Sequence, residues 1–160
     1  MNWDAIGAVG ELLGALVVVI SVVYLAGQVR QNTAASRAEA LRSFSIEVSN
    51  QFLTWGTDER TSGIWHKIMY EQIGRSDFPP ADMMTASFCI MSRLNTYDAA
   101  FRSYKEGILT EEEFRTMLTT RIWDTPFVKD SWPIYKRELS PDFVQHMENE
   151  LPQLAKQTGN

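Results

Sequence analysis

A chain of 160 residues with a net charge of −5 has no basic patch with which to neutralise phosphates, so nucleic acid is not expected as a partner. Its single cysteine, Cys89, excludes an internal disulfide and a cysteine-based metal site, which fits a reducing compartment. After an apolar opening stretch, residues 31–160 are enough for one compact domain and too few for two.

Residues 5–29 contain one formally charged side chain, Glu11, and one amide, Gln28. A hydrocarbon core of roughly 30 Å needs about 20 apolar residues at about 1.5 Å each, and this run exceeds that. A buried helix of a soluble protein carries a polar face, whereas between Leu12 and Ala26 the only polar groups are the hydroxyls of Ser21 and Tyr24. Residues 1–30 therefore read as a transmembrane helix, with the lipid bilayer as its first partner. A cleavable signal peptide needs a basic start, and Met1-Asn2-Trp3-Asp4 has no Lys or Arg, so the helix is expected to stay as an anchor. Arg30, Arg37 and Arg42 follow the span and no basic residue precedes it, which places the N-terminus outside and the domain over 31–160 in the cytoplasm. Trp3 and Tyr24 sit where aromatic rings favour the headgroup level and mark the two interfaces.

Around the span, Gly7, Glu11, Gly14, Val18 and Ser21 fall on one stripe, and Gly10 completes a Gly10-x-x-x-Gly14 pair. Small residues on one face let helices approach closely in lipid. A carboxyl group inside a membrane costs at least a few kcal/mol unless it faces protein or water. The stripe predicts assembly of the chain with itself or with a larger membrane complex. The alternative is a small oligomeric pore lined by Glu11, but below Glu11 only Ser21 shares its face, too little to line a whole channel.

Residues 28–54 contain neither Pro nor Gly, and Leu41, Phe44, Val48, Phe52 and Trp55 recur at helical spacing, so the span is expected to run on as one long helix. Gly56-Thr57-Asp58 stops it and caps a second helix reaching about Gln72, with Ile64, Trp65, Ile68 and Met69 on its buried face and Gly74 ending it. Ser76-Asp77-Phe78-Pro79-Pro80 opens the longest helix of the domain, running to Gly107 with Met84, Phe88, Met91, Leu94, Tyr97, Phe101, Tyr104 and Ile108 as its core stripe. Thr110-Glu111-Glu112-Glu113 is a capping box, so this acidic cluster reads as a helix start rather than a metal site. That helix is expected to reach Trp123 and Asp124, where Pro126 ends it. A short or irregular piece broken by Pro133 follows, then a last helix opened by Ser140-Pro141-Asp142 that buries Phe143, Val144, Met147, Leu151 and Leu154. Residues 156–160 read as a frayed tail. No strand pattern is present, and the expected fold is all-α: one transmembrane helix continuing into a helical bundle.

The chemical inventory is thin. His66 and His146 have no second ligand at a metal spacing, and the chain has no phosphate-binding Gly loop, no G-x-S-x-G elbow and no C-x-x-C. Glu71 is five residues from His66 and not on its helical face, while Asp98, Arg102 and Glu106 read as surface pairs. No catalytic, cofactor-binding or metal-binding residue is assigned, and no enzyme is expected.

The opening Trp3-Asp4-Ala5-Ile6-Gly7, the step Glu11-Leu12-Leu13-Gly14 and the exit Tyr24-Leu25-Ala26-Gly27-Gln28-Val29-Arg30-Gln31-Asn32-Thr33 resemble a group of short bacterial single-span membrane proteins with no assigned activity. Tyr104-Lys105-Glu106-Gly107-Ile108-Leu109 and the region 132–143 are similar to the same group. The resemblance implies a bacterial cytoplasmic membrane and a helical domain, and assigns no site.

Overall fold

The computed structural model describes the backbone of residues 3–155 and the side chains of residues 10–155. The side chain of Trp3, the surroundings of Gly7 and the tail over 156–160 lie outside the described residues. All described secondary structure is helical: α1 (Trp3–Thr57), α2 (Glu59–Met69), α3 (Pro80–Lys105), α4 (Glu111–Leu118), α5 (Pro126–Tyr135), α6 (Pro141–Glu150) and the single turn α7 (Pro152–Ala155), with 3-10 turns at Arg75–Asp77 and Arg121–Asp124. The chain divides into two compact units, Met1–Glu39 and Ala40–Asn160.

In the first unit α1 contains an 18-residue stretch of mean hydropathy 2.3, none of it buried, and is long and apolar enough to cross a membrane. Two polar side chains along it bond within the helix. Ser21 Oγ donates to the Val17 carbonyl at 2.8 Å, and Gln28 Nε2 donates to the Tyr24 hydroxyl at 2.9 Å. Such local bonds are what a polar group needs in hydrocarbon, where water is absent.

The second unit is a helical bundle around α3. Pro80 begins α3 in the first turn, where the missing N–H is not needed, and Gly107, at φ 74°, turns the chain after its end. Ala86, Ile90, Leu94, Tyr97, Ala100 and Phe101 bury one face. This corrects the N-terminal half of the expected stripe, since Met84 is exposed and Phe88 is 69% exposed. A repeat of three and four residues drifts around a straight helix, and Ala86 is fully buried where the expected stripe had Met84 and Phe88. Arg60 of α2 reaches α3 with two bonds to Asp82 Oδ1, at 2.9 and 2.7 Å.

Four further expectations are corrected. α2 ends at Met69 rather than near Gln72, and the chain turns through Gln72 at φ 56°. Gly74 serves a close approach instead of a helix end: a Cβ there would lie 2.9 Å from Asp130 Oδ2. α4 stops at Leu118, five residues before Trp123, because Thr119 and Thr120 turn the chain: the Thr120 hydroxyl accepts from Ile122 N at 3.4 Å, and Trp123 Nε1 donates to the Leu118 carbonyl at 3.1 Å. Pro133 does not break α5, because it lies near the C-terminal end of the helix and the flanking Trp132 and Tyr135 are buried. The capping box at Thr110 forms as expected, with Glu113 Oε2 accepting from Thr110 N at 2.9 Å.

Side-chain bonds tie the bundle across long sequence separations. Arg75 Nη1 donates to Ser87 Oγ at 3.1 Å, Ser131 Oγ at 3.2 Å and the Tyr135 hydroxyl at 3.3 Å, fixing the first 3-10 turn against α3 and α5. Trp132 Nε1 and Lys136 Nζ each donate to Glu148 Oε1 at 3.0 Å, joining α5 to α6. Asp98, expected at the surface, is buried and accepts from both the backbone N–H and the hydroxyl of Ser140, the residue that caps α6. Arg102 Nη2 lies 3.6 Å from the same carboxylate.

Candidate functional site

The stripe expected in the first unit is a surface of one helix. Gly10 and Gly14 stand one turn apart with Glu11 between them, and a Cβ added at either glycine would meet nothing within 4 Å. Glu11, Ser21, Tyr24, Arg30 and Arg37 are all exposed, and from Leu12 to Val29 every large apolar side chain is more than half exposed. Among the described residues of the first unit none is buried.

Neither histidine belongs to a metal-type cluster among the described residues. His66 Nε2 lies 3.7 Å from Glu71 Oε1, a contact the helical spacing did not anticipate and which forms because the chain has left α2 before Glu71. Both side chains are exposed. His146 packs its ring against Phe101 and Phe114, at 5.1 and 5.6 Å between centroids. Among the described residues no group of three His, Cys, Asp or Glu side chains is placed to hold a metal ion.

A second arrangement, absent from the sequence reading, lies inside the bundle on α3. Arg93 is 3% exposed. Its guanidinium carbon sits 4.7 Å from the centre of the Phe52 ring and 5.3 Å from that of Trp55, both on the part of α1 within the second unit, and Trp55 in turn packs on Trp65 at 4.8 Å. Ring faces attract the cation, but stacking uses the faces of the guanidinium and leaves its in-plane N–H groups free. Nη2 is buried and has no hydrogen-bond partner. An unmet buried donor costs about 1–3 kcal/mol, more when charged. Burial lowers the Arg93 pKa, while Tyr97 and Glu47 favour its charge. The Tyr97 hydroxyl is pushed up by burial and held back by Arg93 and by a hydrogen bond with Thr120. Beside Arg93, Gln51 Nε2 donates to Ser92 Oγ at 3.1 Å and Thr96 Oγ1 at 2.9 Å, while its buried Oε1 has no partner.

Arg93 lines a cavity of about 320 Å3 whose walls include Phe44, Phe52, Trp65, Tyr97 and Thr120. A signal for this site was present in the sequence: Arg93 falls between Ile90 and Tyr97, on the apolar face of α3, where a cation requires an explanation.

Comparison with protein-family models, with curated proteins and with solved structures finds no significant match for this chain. The functional reading therefore rests on the residues themselves.

Proposed function

We propose that this protein is a membrane-anchored accessory protein, without catalysis of its own, that assembles through α1 with itself or with a larger complex in a bacterial cytoplasmic membrane. The observation that supports this most is the apolar surface of residues 10–29, which is exposed all round and needs lipid or another helix to cover it. Lipid covers most of it, and the Gly10, Glu11 and Gly14 face is where a second helix gains most from close approach. Arg30, Arg37 and Arg42 after the span support an orientation with the N-terminus outside and residues 31–160 in the cytoplasm. Protease added outside intact cells is expected to leave the chain from Gln31 onward uncut, and cleavage there reverses the orientation.

Assembly is tested by mass in mild detergent and in lipid. Gly14→Leu fills the groove and is expected to lower the assembled mass; an unchanged mass overturns the packing face. Glu11→Gln keeps a hydrogen-bonding group and is expected to preserve assembly, whereas Glu11→Leu weakens it, by roughly 0.6–2 kcal/mol for each interhelical bond lost. A proton or ion leak in liposomes that Glu11→Gln abolishes without changing the mass replaces this reading with a pore.

A further inference from the structure

We propose that the aromatic-walled cavity around Arg93 binds a small organic acid, an aromatic ring bearing one carboxylate, with the carboxylate received by the guanidinium edge.

The charge of the ligand follows from the walls. Arg93 is the one formally charged side chain among the residues lining the cavity. Glu47, outside the lining, already favours the Arg93 charge, so the site suits no more than a monoanion, whereas a phosphate dianion asks for a second cation or a helix N-terminus. A guanidinium presents donors in a planar fork that matches the two oxygens of a carboxylate. The two rings at 4.7 and 5.3 Å hold the plane of that fork, and Nη2 is the donor left without a partner.

The body of the ligand follows from the rest of the lining. Phe44, Phe52, Trp65 and Tyr97 offer ring faces and edges, Val48, Met69 and Ile122 offer aliphatic surface, and Thr119 and Thr120 supply hydroxyls. Aromatic walls favour an aromatic guest in offset or edge-on contact. A volume of about 320 Å3 is at the lower end for ligand sites, which run from roughly 300 to 1,000 Å3, so the guest is small. Phe52 is both the ring nearest the guanidinium and 52% exposed. Arg93 is 3% exposed and its Nη2 is buried, so a guest reaches the guanidinium only when a covering side chain moves, and Phe52 is the half-exposed ring nearest to it.

A purely structural role makes a different forecast. If Arg93 serves only to bind α3 to the Phe52 and Trp55 rings, the cavity discriminates nothing by charge. The probe pair is 3-phenylpropionate and its uncharged counterpart 3-phenylpropanol, titrated into the full-length chain in lipid nanodiscs and followed by heat and by tryptophan emission, since Trp65 lies in the wall. The acid is expected to bind saturably and about 10- to 100-fold more tightly than the alcohol, the range of a charge-assisted hydrogen bond. Arg93→Gln is expected to abolish that preference, and Phe52→Ala to speed entry while keeping it. Equal binding of acid and alcohol by the unmodified chain, or no saturable binding of the acid, overturns the proposal even if Arg93→Gln fails to fold. Retention of the preference in a folded Arg93→Gln variant overturns it as well.

Discussion

The apolar stretch of α1 and the central helix α3 are both long helices rich in large hydrophobic side chains, and they place those side chains in opposite ways. In residues 10–29 the apolar groups run all round the helix and stay exposed, and the polar groups Ser21 and Gln28 bond within the helix. In α3 the apolar groups form one face and are buried, and two charged residues, Arg93 and Asp98, are buried with them. Apolar content does not decide burial within a chain; its distribution round the helix does. Other elements meet these charges to different extents: Ser140 donates twice to Asp98, whereas the rings of α1 lie over Arg93 and leave its Nη2 without a partner.

The comparison predicts a large asymmetry in stability. Phe101→Ala is expected to cost the bundle about 3–5 kcal/mol, because Phe101 is buried against Phe114 and Phe143. Leu16→Ala, at a position 55% exposed, is expected to leave denaturant unfolding of the bundle unchanged. Equal effects from the two would erase the distinction between the helices. Asp98→Ala removes the acceptor of two Ser140 donors and is expected to cost about 1–3 kcal/mol, whereas Asp98→Asn, which keeps an acceptor, costs less. An Asp98→Ala variant as stable as the parent would return that residue to the surface.

The smallest effect is in acid. The Glu148 carboxyl lies below its ordinary value, first because Trp132 donates to it and then because Lys136 does, against some desolvation. A carboxylate with a depressed folded pKa stabilises above its unfolded pKa and loses that contribution as pH falls through the folded value. Stability of the parent is therefore expected to fall below about pH 4.5 by more than that of Glu148→Gln. Parallel pH profiles would mean that the link between α5 and α6 carries no charge.

What the sequence determined by itself was everything encoded within a few residues: the apolar length of α1, the capping box at Thr110, the prolines that open α3 and α6, and the all-helical class. These are local effects of hydrophobic period, caps and missing donors, and they act in the same way whatever surrounds them. Tertiary structure decided what depends on partners distant in the chain. Phe88 is exposed and Ala86 buried on the same helix; Pro133 stays inside α5 because Trp132 and Tyr135 anchor it; Asp98 is buried because Ser140 meets it 42 residues on. Arg93 is the clearest case. Its neighbours in sequence mark it as a cation on an apolar face, and only the fold brings Phe52 and Trp55 over it, because the energy of a buried charge is set by the groups that replace its water.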